Sequence, residues 1–475
     1  MKTKFCYLVA LCVFATSLFA APRTTEGRLA DLEDRLDDIE FQSGLDKIKF
    51  GLDFSTGGGE SWYKIGERYT RENNTPKFNP EQKYSAHNKW GMELHLNMNA
   101  PINSYTKFYG RLSMAKNYGM MDTTSVTEPQ DTDAGRDLRT SGQSLYVSRA
   151  YVDLFFTPEI VATLGRQPGT DGPGSNLRNN ALRQATYPAL LVNALGDAAV
   201  ISYKPRFLRQ LQFAVRGAYG KIYQVDEQGV VRDWIGKSEK ADTDLYYASF
   251  EIQPYLGSLG KNSLFIVSYM RLHDLALDLS SLQNGIGVQN LGTIDTANVH
   301  FESYQAFGLP LNYFVSGSYM KGSGAREVSF TAQVPVADVN GGTGAISTIS
   351  REVNLGKLFN EETAFAVHAG LRYDFHRYFK LGGEYFYGSQ YWFAFSRMSF
   401  NDPLNIRNTR GQAFDVYVIT QLDRNQFFRL SYTHIQNKWN NRGVPLGGAY
   451  GKDDKTQGGY ESTADNVMLI YNVKF

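Results

Sequence analysis

From Leu45 onward, apolar and polar residues alternate one by one over short runs. Ile48, Phe50, Leu52 and Phe54 alternate with Lys47, Lys49 and Asp53, and Trp90, Met92, Leu94, Leu96 and Met98 with Glu93, His95 and Asn97. Phe108, Leu112 and Met114 interleave with Lys107, Tyr109 and Arg111; Tyr146, Val152, Leu154 and Phe156 interleave with Arg149, Tyr151 and Asp153. Successive side chains of a strand point to opposite faces, so this period of two predicts strands with one apolar and one polar face. Similar runs near 160–167, 197–204, 209–219, 244–254, 263–273, 298–307, 311–321, 363–375, 377–389, 412–422, 426–436 and 464–475 bring the candidate strands to sixteen. Most have about the 9–11 residues that a tilted strand needs to cross a membrane. Runs 263–273 and 298–307 alternate poorly, which leaves the count open by two.

The connections divide into two kinds. Short ones recur at Asn99–Ser104, Thr157–Glu159, Lys204–Leu208, Gly308–Pro310, Phe375–Tyr378 and Leu422–Gln426. Long polar, Gly-rich ones fall between them near 55–89, 116–143, 168–196, 220–243, 274–297, 322–362, 390–411 and 437–463. Short turns at one end and long loops at the other are the habit of transmembrane antiparallel barrels. The expected fold is therefore an all-β barrel of about sixteen strands over 45–475, wide enough at that count to hold water.

The ends of the chain agree. Lys2 and Lys4, the apolar run Phe5 to Phe19, and Ala20 with Ala21 read as an export signal over 1–20; the run is too short for a membrane helix. Cys6 and Cys12 both fall inside it, so the exported part owes nothing to disulfides. Between 21 and 44, Leu29, Leu32, Leu36 and Ile39 are spaced as the stripe of a short coiled coil. An amphipathic helix at the barrel base and a periplasmic coiled coil joining subunits both fit, and the narrow stripe favours the second. At the other end Val467, Leu469, Tyr471, Val473 and Phe475 share one face of a last strand. A terminal Phe on such a strand resembles the signal read by the barrel assembly machinery.

Composition narrows the function. The chain holds 30 Tyr, 30 Phe and 45 Gly, and its formal net charge is +1. Losing Lys2 and Lys4 would take that +1 to −1, so nothing favours nucleic acid. Aromatic richness without long apolar runs suits the girdles of an outer-membrane barrel. No zinc-type His or Cys spacing, phosphate loop or dinucleotide fingerprint occurs, so no cofactor or metal is expected, nor an enzyme.

The third long loop stands out. Gly165-Arg-Gln-Pro-Gly-Thr-Asp-Gly-Pro-Gly174 allows a sharp fold back, and Leu177 to Leu195 is unusually apolar, with Tyr187, Pro188, Leu190, Leu191 and Val192. A loop facing bulk water gains nothing from these groups; one tucked inside the barrel does. Parity along the strands puts Lys107, Arg111, Arg149, Asp153, Arg216, Arg372, Lys380 and Arg429 on the lumen wall, with Glu93, Glu251, Asp374, Glu384 and Asp415. Arg166, Asp171, Arg178 and Arg183 lie on or beside the third loop. Opposed charges across a narrowing orient dipolar solutes, and with both signs present the expected charge selectivity is weak.

The strand and loop order resembles the general sixteen-stranded, trimeric outer-membrane porins over nearly all of the exported chain. The run Gly165–Gly174, with the Leu stripe, also resembles a little-characterised proteobacterial family of porin-like proteins. The N-terminal stripe alone is similar to that of phosphate- and polyphosphate-selective porins, but their lysine-rich loop cluster is missing. The resemblance implies passive diffusion of small hydrophilic solutes, a homotrimer, lipid and lipopolysaccharide as surroundings, and a Gram-negative outer membrane. Two other readings remain: a non-conducting structural or adhesive surface barrel, and a barrel enzyme with a Ser–His or Asp–His pair on neighbouring strands.

Overall fold

The computed structural model describes residues 48–72, 75–118, 145–167, 172–181, 187–223, 242–278, 288–337, 346–396, 398–440 and 445–475. The expected signal (1–20) and Leu-striped segment (21–44, with Leu29, Leu32, Leu36 and Ile39) lie outside these residues, as do Asp171 and Arg183.

The strands are β1 (Lys49–Ile65), β2 (Arg68–Glu72), β3 (Thr75–Asn79), β4 (Gln82–Asn103), β5 (Thr106–Asn117), β6 (Tyr146–Phe155), β7 (Ile160–Gln167), β8 (Gly196–Tyr203), β9 (Ala214–Tyr223), β10 (Thr243–Ile252) and β11 (Leu264–His273). There follow β12 (Ala276–Asp278), β13 (Val288–Asn290), β14 (Thr293–Ser303), β15 (Leu311–Ser323), β16 (Glu327–Ala337), β17 (Ile346–Lys357), β18 (Thr363–His376), β19 (Phe379–Gly388), β20 (Gly411–Gln421), β21 (Gln426–Asn437) and β22 (Ser462–Lys474). Sixteen of them close into one barrel in the order β1-β22-β21-β20-β19-β18-β15-β14-β11-β10-β9-β8-β7-β6-β5-β4. The remaining six form three hairpins, β2–β3, β12–β13 and β16–β17, that decorate the long loops.

Closure is what lets a sheet cross a membrane, because every backbone N–H and C=O finds a partner and no edge is left. The seam is β1 against β22, extended by the last residue: the Phe475 N–H donates to the Leu52 carbonyl at 2.9 Å, and the Leu52 N–H to the Phe475 carbonyl at 2.8 Å. Alternation then sorts the faces. Asn466, Met468, Ile470 and Asn472 of β22 are buried inward, while Val467, Leu469 and Phe475 are 37%, 46% and 73% exposed on the outside. The outside of β15 reads Tyr313, Val315, Gly317, Tyr319, an aliphatic centre between aromatic ends. This apolar outer band places the barrel in a membrane.

Two strands sit away from their expected positions for local reasons. The run expected at 209–219 begins at Ala214, because Pro205 starts a 3-10 turn over Arg206–Leu211. The run expected at 298–307 ends at Ser303, because Gln305 (φ 54°) and Phe307 (φ 56°) turn the chain through the left-handed region. β1 and β4 run well beyond the expected segments, as one long hairpin with a bulge between Gly59 and Ser61.

The apolar core lies between the inward wall and the long loops. Leu190 and Leu191 of the third loop, Leu275, Leu291, Phe359, Trp392, Ile406 and Leu446 pack on Met270, Ile294, Met320, Phe386, Ala413 and Ile435 of the wall.

Candidate functional site

The lumen is filled on one flank. In the third loop Gly172 to Asn179 are all buried, and Gly174, at φ 94°, lies near the His300 and Phe314 rings, within 3.6 Å of a Cβ built on it. The loop backbone would be left short of partners inside a barrel, and wall side chains supply them. Arg372 donates to the Leu177 carbonyl at 2.7 Å, and Arg429 to the Arg178 carbonyl at 3.3 Å and to Asn179 Oδ1 at 2.9 Å. Lys380 reaches Asn180 Oδ1 at 2.6 Å, and Asn176 donates to the Tyr304 hydroxyl. These bonds run to the β14–β21 flank of the wall.

A second loop, between β19 and β20, enters the same space. Trp392, Phe393, Ala394, Phe400, Ile406, Arg407 and Arg410 are buried in it. It meets the third loop where the Asn193 N–H donates to the Phe395 carbonyl at 2.7 Å, and Arg407 donates to Ser175 Oγ. Arg178 ties loop to loop and loop to wall: its guanidinium lies 3.0 Å from Asp402 and 3.8 Å from Asp415. Burial by itself would push the Asp402 carboxyl up, but Arg178 and Arg407 together hold it below the usual carboxylate range. Beneath the third loop, His300 pairs with Glu302 at 3.3 Å and His368 with Glu384 at 3.1 Å, all four buried, with the Phe314 ring between the two imidazoles.

The opposite flank is less filled. Several inward residues of β1, β4, β5 and β6 keep intermediate exposure, the side chain of Asp53 at 26% and that of His95 at 19%, while Ser55, Glu93, Ser113 and Ser148 beside them are buried. Arg111 donates to Asn97 Oδ1 at 2.7 Å and lies 3.9 Å from Asp53. Its direct cross-strand neighbour is Arg149, and the next rungs pair Tyr109 with Tyr151 and Lys107 with Asp153. The two tyrosine rings stack at 5.1 Å, and Asp153 accepts from Thr163 at 2.6 Å. Farther round, Arg216 meets Glu251 at 2.9 Å.

The charges expected on the wall thus fall into two groups. Lys107, Arg111, Arg149 and Asp153 line the less filled flank, whereas Arg372, Lys380 and Arg429 are engaged in holding the third loop. Arg178 is buried in the loop clamp, and Arg216 lies between the groups. Arg166 is placed otherwise: β7 continues past Gly165, so parity turns Arg166 outward with Ile160 and Leu164, where it pairs with Asp197 at 2.8 Å. The β19–β20 loop with Asp402, Arg407 and Arg410 was not expected inside. Its signal is in the sequence, since Trp392, Phe393, Phe395, Phe400, Leu404 and Ile406 are as dense in apolar groups as the third loop.

Residues 83–475 match the family described as "Protein of unknown function (DUF3373)". The chain belongs to this family. No curated protein matches it. Solved structures that resemble it include OprB of Pseudomonas putida, at 10% identity and TM-score 0.45 over 91% of this chain and 96% of that one. The outer membrane channel DcaP of Acinetobacter baumannii resembles it at 12% identity and TM-score 0.41, over 90% of this chain and 98% of that one. OmpT, an outer membrane protein of Vibrio cholerae, does so at 12% identity and TM-score 0.39, over 90% and 98%. This DUF3373 chain is a closed sixteen-stranded barrel whose apolar outer band suits it to span a membrane.

Proposed function

We propose that the protein is a passive channel for small hydrophilic solutes and ions, narrowed by the third loop together with the β19–β20 loop. One observation carries this reading. The two loops dock on the β14–β21 flank, while polar side chains on the β1–β7 flank stay partly open to the lumen. A sixteen-stranded barrel is wider than its own wall side chains can fill, so a polar route along that flank holds water. Asp53, His95, Arg111, Arg149, Asp153 and Lys107 would line it, both signs together, which admits dipolar solutes and repels apolar ones.

Purified protein in a planar bilayer is expected to give stable single-channel steps. Closure in three equal decrements would add a trimeric assembly. A folded, heat-modifiable barrel that stays silent would remove the channel reading and leave a structural surface barrel.

The route also predicts a selectivity change. An ion about 6 Å from one charge in water feels roughly 0.7 kcal/mol, a factor of about three. Arg111→Gln and Arg149→Gln are each expected to shift the permeability ratio toward cations by roughly that factor. Reversal potentials in dilute salt, where screening is weak, check this; an unmoved potential in the double variant would place the route elsewhere.

A further inference from the structure

The less filled flank presents to the lumen a side chain of the kind that gains and loses charge near neutral pH. His95 on β4 faces inward, and its side chain keeps 19% exposure. Its Nε2 lies 3.3 Å from Glu93 Oε1, two residues back on the same strand. Its Nδ1 lies 2.7 Å from the hydroxyl of Ser113, its register partner on β5. That hydroxyl is 2.5 Å from the Ser148 hydroxyl on β6, and Ser148 in turn donates to the Arg111 carbonyl at 3.4 Å. The line exists because the β5–β6 register shifts between Arg111 and Leu112, which brings Ser148 inward beside Arg149.

A hydroxyl both donates and accepts, so this line can run either way. With a neutral imidazole whose Nδ1 accepts, Ser148 donates to Ser113 and Ser113 donates to the ring. With a charged imidazolium, the Nδ1 N–H donates to Ser113, Ser113 to Ser148, and Ser148 to the Arg111 carbonyl. Neither state leaves a donor of the line unpaired, and Glu93 faces the ring in both. A proton can therefore arrive and leave by the turning of two hydroxyls, with the wall unmoved. The histidines beneath the third loop differ. The Nδ1 atoms of His300 and His368 are buried without a partner, so a second N–H on either ring would find no acceptor. Ser113 is itself fully buried, so its hydroxyl passes a hydrogen bond along but does not meet a solute.

Fixed charges surround His95. Glu93 shares its strand, and Asp53 is its register partner on β1, with Lys474 of β22 beyond. Arg111 and Arg149 stand on the other side, on β5 and β6. Carboxylates, lysines and arginines ordinarily keep their charges between about pH 5.5 and 8, whereas histidines ordinarily change theirs there. We propose, on the channel reading above, that His95 is the residue through which pH sets the ion selectivity of the pore. Proton uptake adds one positive charge to the route while its neighbours stay as they are, which draws anions and repels cations. One unit charge about 6 Å away in water changes the permeability ratio about threefold.

The test records reversal potentials of the full chain in planar bilayers, at about pH 5.5 and about pH 8. A dilute potassium chloride gradient keeps screening weak. The parent chain is expected to shift toward anions about threefold on acidification. His95→Gln, which can still bond Ser113 but takes no charge, is expected to lose that shift and to match the parent at the higher pH. His95→Lys, positive throughout, is expected to match the parent at the lower pH under both conditions. The two variants hold opposite states, so either one decides if the other fails to insert. A shift that survives in the glutamine or the lysine variant, or a conducting parent chain without a shift, would overturn the role of His95 and leave the channel standing. A silent parent chain would overturn both.

Discussion

Replacing Arg178 with methionine is expected to release the third loop from the wall. Arg178 is 2% exposed and sits between Asp402 at 3.0 Å and Asp415 at 3.8 Å. Removing one partner of a buried ion pair strands the other, at a typical cost of about 3–5 kcal/mol. That exceeds the roughly 1.5–3 kcal/mol of any one hydrogen bond from a charged donor, so the loop, left to the bonds from Arg372, Lys380, Arg407 and Arg429, should leave the wall more often. Single-channel recordings are expected to show larger, noisier steps, and the folded band should convert at lower temperature. A trace and a conversion temperature like those of the parent chain would show that the clamp is elsewhere. Acid should act in the same direction. Asp402 titrates below its ordinary value in the folded protein, so the stability it adds is present above the unfolded value and is lost as pH falls through the lower, folded one.

Trp392→Ala is expected to undock the other loop. Trp392 is 1% exposed, and its indole N–H donates to the Arg407 carbonyl at 2.8 Å. Its ring lies over Gly388, where an added Cβ would come within 2.8 Å of it and within 2.2 Å of the Thr409 carbonyl. The glycine makes the slot and the indole fills it. Loss of a buried aromatic of this size costs about 3–5 kcal/mol, whereas Trp392→Phe, which keeps much of the volume, should cost closer to about 1 kcal/mol for the hydrogen bond. Trypsin reads the difference, because Arg407 and Arg410 are buried beside the ring in the parent chain. Rapid cleavage there in the alanine variant and slow cleavage in the phenylalanine variant are expected; equal rates in all three chains would mean that the loop is held without the ring.

The barrel was legible because its physics is local. A period of two, with small errors at Pro205 and Gln305, is enough to place sixteen strands, since each strand must turn one face to lipid whatever its neighbours do. The lumen was legible only in part. Parity found Arg111, Arg149, Arg372 and Arg429, because facing inward is a property of one strand. Which of them stay open to water and which hold a loop depends on partners some 200 residues away, such as Arg372 with Leu177, and no local pattern encodes that pairing. Arg166 was assigned to the third loop through the run Gly165–Gly174, although it shares one parity with Ile160 and Leu164 of the 160–167 strand. The β19–β20 loop was passed over because its apolar groups are dispersed among Asn and Arg rather than introduced by a Gly-Pro run.

The docking of two distant loops on one flank has a consequence for biogenesis. The third loop precedes β8, yet its partners Arg372, Lys380, Asp402, Asp415 and Arg429 all come from the last third of the chain. The wall can zip up between neighbours as it is laid down, whereas the clamp waits for the final strands. On the proposed channel reading, a newly closed cylinder would therefore stay wide until Arg178 finds its aspartates. The interval between those two events is when an assembling molecule could let solutes leak across the membrane, and the strength of the clamp sets how completely a mature one avoids returning to that state.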